Sequence, residues 1–338
     1  MPSTRKARSV WLAVLGVSLL FSVVVAIAFG AVPVRADQIA GAVLRGMSGR
    51  ASGATDAVIW DLRLPRVLLA ALVGASLSTA GVLYQALFRN PLADPYILGV
   101  SSGAGLGATI ALVTVGATAV GGVVGVPLGA FAGALLTIVL VVRLASGSGR
   151  VESTSLLLSG VAVSYTLAAV TSFLMVFKRQ SMQAVVFWMM GGLEGATWSY
   201  VAILAAMLAV GMALPFVRAR ELDLMLLGDE RAAQLGVDVE RFKLLALGCA
   251  SLVVAGAVSV SGLIGFVGLM TPHMVRLVLG PEHRTLLPAS ALAGAIVMVL
   301  SDLVARVVLA PVEIPVGIVT ALAGGPFFVW LLVRQERV

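Results

Sequence analysis

The run Leu222-Asp223-Leu224-Met225-Leu226-Leu227-Gly228-Asp229-Glu230-Arg231-Ala232-Ala233-Gln234-Leu235-Gly236 is a charged, helix-forming island in a chain that is otherwise almost wholly apolar. Leu226, Leu227, Ala232, Ala233 and Leu235 alternate with charges, and Gly228 and Gly236 punctuate the turns. Such a segment suits two surfaces: a cleft on a soluble protein, or lipid headgroups on which an amphipathic helix lies flat. The pattern alone leaves both open. Other chemistry is scarce. The two histidines, His273 and His283, stand in separate contexts, so no histidine-rich catalytic centre is in view. The sixteen acids fall in expected loops or at the ends of apolar runs, Asp302 included. Ion-coupled carriers usually keep carboxylates near mid-membrane, where charge is costly and retained for a task. No Gly-Lys dipeptide occurs, which excludes a phosphate-binding P-loop. If the chain moves a solute, the energy must come from elsewhere or the movement is passive.

The elements that position these residues must be membrane helices. Sixty per cent of the residues are hydrophobic, 12% are charged, and the mean hydropathy is +1.07. Apolar stretches of about 20 residues recur, the length that crosses ~30 Å of hydrocarbon as a helix. They are continuous rather than alternating, which favours helices over a closed barrel. High glycine content suits close helix packing in lipid. Ten spans are expected, at roughly 9–30, 64–87, 97–115, 119–142, 155–177, 199–217, 243–261, 262–279, 286–305 and 314–333. The first apolar run, Val10 to Gly30, is longer than the 7–15-residue core of a signal peptide, despite a loose cleavage-like Val34-Arg35-Ala36. The lone Cys249 lies inside an apolar run and leaves no intrachain disulfide.

Basic residues set the orientation. With the N-terminus inside, Arg5, Lys6, Arg8, Arg89, Arg143, Arg150, Arg218, Arg220, Arg231, Arg241, Lys243, Arg276, Arg284, Arg334 and Arg337 fall on or near the cytoplasmic side. Arg35, Arg45, Arg50, Arg63, Arg66, Lys178, Arg179 and Arg306 fall outside. Both termini are then cytoplasmic, and the net charge of +7 is a topology signal rather than a sign of nucleic-acid binding. Ala75-Ser76-Leu77 with Ala80-Gly81 recurs as Ala250-Ser251-Leu252 with Ala255-Gly256, and Pro91 with Gly99 recurs as Pro272 with Gly280. An offset of five spans reverses direction, so the expectation is an all-α polytopic fold with an inverted internal repeat.

Several runs carry a more specific signal. They are Arg63-Leu64-Pro65-Arg66, the stretch from Gln85 to Pro95, Leu98-Gly99-Val100-Ser101-Ser102-Gly103-Ala104, Ser159-Gly160-Val161-Ala162 and Trp188-Met189-Met190-Gly191-Gly192. Leu227-Gly228 with Gln234-Leu235-Gly236, Gly262 to Leu269, Pro272-His273 with Arg276, Asp302-Leu303-Val304-Ala305-Arg306 and Glu313 to Thr320 complete the set. In order and spacing these resemble the FecCD family, the permease subunits of bacterial ABC importers for iron-siderophores, haem and cobalamin. The resemblance covers nearly the whole chain from about residue 55.

The resemblance implies roles. Arg63, Arg66 and Arg306 would face the periplasm and pair with carboxylates of a substrate-binding protein, a contact guanidinium groups make bidentately; the alternative is that they snorkel to lipid phosphates. Leu227, Gly228, Asp229, Glu230, Arg231, Ala232, Gln234, Leu235 and Gly236 would form the coupling segment, about residues 221–240, that inserts into an ATPase cleft. Asn90 and Leu92, with Ser153 and Thr154, would line a cytoplasmic gate, Ser153 also being able to serve as a helix N-cap. His273 belongs to a motif common to permeases of differing cargo, so a structural hydrogen bond is expected of it rather than a metal or haem ligand. Met189 and Met190 read as packing.

The expected protein is therefore one permease domain, residues 1–338, of a type II ABC importer. It would carry an iron chelate (siderophore or haem) or cobalamin across the inner membrane. Its expected partners are a second permease subunit, in a homodimer or a heterodimer, two ABC ATPase subunits that bind the ATP and Mg, and a periplasmic or lipid-anchored binding protein. No catalytic residue, metal site or cofactor is expected in the chain itself. The alternatives are an ion-coupled secondary transporter and an intramembrane enzyme. Sidedness is directly testable: Ser48→Cys and Gln180→Cys should react with impermeant thiol reagents on intact cells, and Ser148→Cys and Gln234→Cys should not. The reverse labelling would invert the topology.

Overall fold

The computed structural model describes residues 5–30, 34–50, 52–114, 120–146 and 152–335, and every regular element among them is helical. In chain order these are α1 (Arg5–Ala28), α2 (Ala36–Met47), α3 (Ala54–Ala57), a π-type stretch Val58–Arg63, α4 (Leu64–Leu87), α5 (Val100–Thr114), α6 (Val120–Ala145) and α7 (Ser153–Phe177). A 3₁₀ turn Arg179–Ser181 leads to α8 (Met182–Met189) and α9 (Trp198–Val217), then the short α10 (Ala219–Met225) and α11 (Asp229–Gln234). Four helices close the chain: α12 (Val239–Ser261), α13 (Val267–Leu279), α14 (His283–Val307) and α15 (Val316–Gln335). Among the described residues, seven helical stretches are long and apolar enough to cross a membrane, and α5, α13 and most of α15 are shorter apolar helices. Together they correspond to the ten expected spans. Ser148, Arg150 and Arg337 lie outside the described residues, as do residues 115–119 at the edges of the third and fourth spans.

α4 is the centre of the bundle. Nearly all of it from Leu64 to Leu87 is buried, against α14 on one side and α12 on another. Close backbone approach makes this packing possible. A β-carbon on Gly74 would overlap the Gly294 carbonyl of α14, and one on Gly81 would overlap the Gly268 carbonyl of α13. Gly107 and Gly129 meet in the same way between α5 and α6. Where lipid gives helices no hydrophobic reason to associate, such contacts supply the dispersion energy. The outer faces of α1, α7 and α9 carry exposed apolar residues, among them Phe21, Phe173 and Val210.

The bundle has two distinct faces. One gathers the end of α1, the start of α4 and the end of α14 around Arg63, Arg66 and Arg306. The other gathers α10 and α11 with the starts of α12 and α14. The start of α1 lies on that second face, because Arg8 pairs with Glu282. α4 and α12 therefore run in opposite directions, and they touch where the Tyr84 and Ser251 hydroxyls share a hydrogen bond of 3.1 Å. This is the relation an inverted repeat requires. The second pair of repeated residues does not occupy matching elements: Pro91 is in the turn after α4, whereas Pro272 is inside α13.

The short helices begin inside the bundle. Residues 262–266, expected within a span, are not helical. Gly262 (φ 67°) and Phe266 (φ 68°) turn the chain left-handed, a strained choice for phenylalanine that packing of its ring against Phe328 and Gly324 holds in place. Residues 90–99 likewise fold back along α4, since Gly268 lies against both Pro95 and the Leu77 carbonyl. Leu77 is ten residues, about 15 Å, from the end of α4. The Tyr96 hydroxyl joins the two irregular segments, donating to the Ile264 carbonyl at 3.1 Å and accepting its N–H at 3.2 Å. Irregular backbone inside a membrane bundle is tolerated where protein groups satisfy it in this way.

The glycine contacts make a prediction. Gly81→Val should cost about 1–3 kcal/mol, because backbone atoms cannot retreat from the added side chain. Gly16→Val, in open space on α1, should stay within about 0.5 kcal/mol. Thermal unfolding of the two variants in detergent checks this, and equal losses would refute it.

Candidate functional site

On the first face, local sequence brings the arginines together. Leu64-Pro65-Arg66 opens α4, with Pro65 in the first turn where its missing N–H costs nothing. Arg63 closes the π-type stretch, and Arg306 falls in the last turn of α14. Arg66 Nε donates to Asp302 Oδ1 at 3.0 Å, and its Nη2 lies 2.8 Å from Glu313 Oε2. Arg306 Nε donates to the other oxygen of Asp302 at 2.9 Å. Arg306 also donates to the Ala26 and Phe29 carbonyls, and Arg63 donates to Ile27 at 2.7 Å. The last carbonyls of α1 lack intrahelical donors and carry the negative end of the helix dipole, so two guanidiniums satisfy both needs.

Arg63 and Arg306 are buried, at 9% and 7% exposure, and their guanidiniums are spent on the end of α1 and on Asp302, which disfavours the alternative that they snorkel to lipid phosphates. Asp302 is also more deeply placed than expected: it is 1% exposed and held between two arginines. The cluster still opens outward. A crevice of about 310 Å³ is lined by Arg63, Arg66, Arg306, Glu313 and the exposed Glu194. Beside it, Trp198 Nε1 donates to the Trp60 carbonyl at 3.1 Å and the two indoles pack 4.7 Å apart, fixing the start of α9 to this face.

On the opposite face, the expected amphipathic island is two short helices rather than one. Gly228 at φ 103° divides α10 from α11. Leu222, Met225 and Ala232 turn inward and are fully buried or nearly so, whereas Leu226, Leu227 and Leu235 stay exposed at 39%, 51% and 58%. Ala232 is thus a packing residue and not part of the exposed surface, a correction to its place in the expected coupling set. Gly228, Asp229, Glu230, Arg231, Gln234 and Gly236 frame the exposed leucines. A hydrogen-bonded pair and an ion pair fix the segment. Asp223 accepts from the His283 backbone N–H at 2.9 Å and lies 2.7 Å from its ring Nδ1, which caps α14 from another helix. Lys243 Nζ donates to Asp229 at 2.5 Å.

Asn90 is exposed just beyond α4, where its side chain accepts the Leu92 N–H at 2.9 Å. Ser153 and Thr154 open α7. The N-cap there is Glu152, with no side-chain cap bond, so Ser153 is not the cap the sequence suggested. Gly160 lets α7 approach Ile97 and Leu98, which places the start of α7 alongside the same re-entrant segment. His273 is 7% exposed, and neither ring nitrogen has a hydrogen-bond partner among the described residues, contrary to the expected structural bond.

Sequence reasoning missed the Asp223–His283 and Asp229–Lys243 pairs and gave Glu313 no role. A lysine at the start of a buried helix is a usable signal, because such a charge needs a carboxylate. The partner's identity is not readable from spacing.

These features describe a polytopic helical membrane protein with a structured site at each face. The chain belongs to the FecCD transport family, whose model matches residues 18–334. It is 49% identical over 279 residues to the cobalamin import system permease protein BtuC of Halobacterium salinarum, covering 82% of this chain and 74% of that protein. It is 43% identical over 279 residues to the Fe(3+) dicitrate transport system permease protein FecD of Escherichia coli, covering 82% and 86%. Against the hemin transport system permease protein HmuU of Yersinia pestis it is 40% identical over 284 residues, covering 82% and 84%. A solved structure described as the inward-facing conformation of an ABC transporter of metal-chelate type matches with a TM-score of 0.84 at 30% identity, covering 96% of this chain and 98% of that one. The chain is accordingly a multi-pass permease of the metal-chelate, cobalamin and haem class of ABC importer, a family that works with ATPase and substrate-binding partners.

The buried pairs give a second structural prediction. Asp302→Ala leaves the buried Arg306 guanidinium without its carboxylate and takes one of two from Arg66, and should destabilise the protein by about 3–5 kcal/mol. Arg241→Ala, removing a surface partner of Asp238 and leaving its capping of α12 in place, should cost at most about 1 kcal/mol. Unfolding midpoints measured side by side test the contrast.

Proposed function

We propose that this chain is the membrane subunit of a type II ABC importer that moves an iron chelate (siderophore or haem) or cobalamin across the inner membrane. Iron-siderophore is the first choice of cargo, and no residue of the chain separates the three. Two copies of the single permease domain, or one copy with a related subunit, enclose the path. ATP and Mg bind to separate ATPase subunits, and the permease itself has no enzymatic site. The face carrying α10 and α11 is cytoplasmic, as are both termini, and the arginine face receives a periplasmic or lipid-anchored binding protein. Asn90, Leu92, Ser153 and Thr154 form the cytoplasmic gate.

The observation that carries this reading is the coupling segment. Leu226, Leu227 and Leu235 are exposed in the turns that follow two helices too short to be stable alone, yet the Asp223–His283 hydrogen bond and the Asp229–Lys243 ion pair hold those helices against the bundle. An apolar patch on a fixed support transmits the movement of an ATPase cleft into the bundle. A patch resting on lipid would need no such fixing.

Leu227→Asp is the test, because Leu227 is exposed and its replacement leaves the fold intact. A charge pressed into an apolar cleft loses hydration without gaining a partner. In proteoliposomes with the ATPase and binding protein, uptake and cargo-stimulated hydrolysis should fall about tenfold or more, with the unfolding temperature unchanged. Normal coupling in this variant would remove the assignment. Uptake that persists without the ATPase and collapses with an ion gradient would replace the importer by a secondary carrier. Binding of siderophore, haem and cobalamin to the cognate binding protein would identify the cargo.

A further inference from the structure

We propose that Glu313 is a built-in occupant of the Arg66 guanidinium, which a carboxylate of the docking binding protein displaces. The inference rests on the docking role proposed above for Arg63, Arg66 and Arg306. It adds that the permease's own acid occupies Arg66 when no partner is present.

The two carboxylates on Arg66 differ in kind. Asp302 belongs to α14, is 1% exposed, and is shared with Arg306. It cannot leave without stripping the buried Arg306 of its carboxylate. Glu313 lies in the irregular stretch between α14 and α15, and its side chain is 35% exposed. Its backbone is anchored next door, where the Ile314 N–H donates to the Ala305 carbonyl at 3.0 Å. Only side-chain rotation is therefore needed to release Nη2 of Arg66 into the crevice.

The crevice can receive the replacement. Its volume of about 310 Å³ is ample for a carboxylate and its stem, and Arg63 and Arg66 both line it. Arg306 lines it too, beside Glu313 and the exposed Glu194. Exchanging one acid for another preserves the number of ion pairs. It follows that Glu313 weakens docking by its own competing attraction and keeps the contact reversible. A pair this exposed is modest in strength, so removing the competitor should tighten docking roughly three- to tenfold.

The experiment uses the permease–ATPase complex in nanodiscs and its own binding protein, with dissociation constants measured from 0.1 to about 1 M salt, over which the Debye length falls from ~10 Å to ~3 Å. Glu313→Gln keeps an oxygen that accepts from Arg66 and removes the charge. It should bind the partner roughly three- to tenfold more tightly and show a steeper salt response than wild type. Glu313→Asp withdraws the carboxylate by one methylene and should move affinity in the same direction by less. Thermal unfolding of each variant confirms a folded complex. Unchanged or weaker binding in both variants overturns the exchange. Arg63→Gln separates this from the docking reading: if it leaves affinity and salt response unaltered, the arginines do not dock the partner and both ideas fall. If Arg63→Gln weakens binding while the Glu313 variants do not strengthen it, only the exchange fails.

Discussion

The pairing of Asp302 with Arg66 and Arg306 is the interaction on which this architecture depends. A carboxylate almost wholly shielded from water is tolerable only when strongly compensated, and here two guanidiniums from different helices supply the compensation. The same arginine that neutralises Asp302 from within α14 also reaches the bare end of α1. One buried acid thus fixes the relative position of α1, α4 and α14. The crevice lined by Arg63, Arg66 and Glu313 is the outward side of this anchor.

α14 extends that anchor through the bundle. Its first residue is tied to Asp223 of α10, and Asp302 lies nineteen residues further on, about 29 Å along the axis. A single helix therefore touches the segment bearing the exposed leucines at one end and the arginine cluster at the other. Close glycine contacts with α4 keep it from sliding independently. The two faces are mechanically joined by one rod packed against the core, which is the geometry a transporter requires if events on its two sides are to be linked.

The re-entrant segments obey a different constraint. Backbone groups away from water must be satisfied, yet residues 90–99 and 262–266 leave helical geometry inside the bundle. Asp94 accepts the Tyr96 N–H, Tyr96 bonds to Ile264 in both directions, and turn bonds follow through Ile97 and Gly99. The result is a pair of short helices, α5 and α13, that start at mid-depth. A hydropathy reading extends both spans too far, because apolar residues continue through the breaks and only Gly99, Gly262 and Phe266 depart to positive φ.

The class of fold, the ten apolar segments, the family and the location of the charged segment are all legible in the sequence. Those properties are written in local composition, in helix length against membrane thickness, and in ordered motifs. Opposed directions for α4 and α12 were legible too, from an offset of five spans. Only the tertiary structure decided that Ala232 faces inward while Leu227 faces out, that the island breaks at Gly228, and that Asp302 is a buried hub rather than a charge at a span end. It also decided which acid each base holds: Asp223 with His283, Asp229 with Lys243, Glu313 with Arg66. The Arg66–Asp302 pair is 236 residues apart in the chain, and an ion pair depends on distance in space. Spacing along one helix can predict which residues share a face; it cannot predict which other helix arrives to meet them.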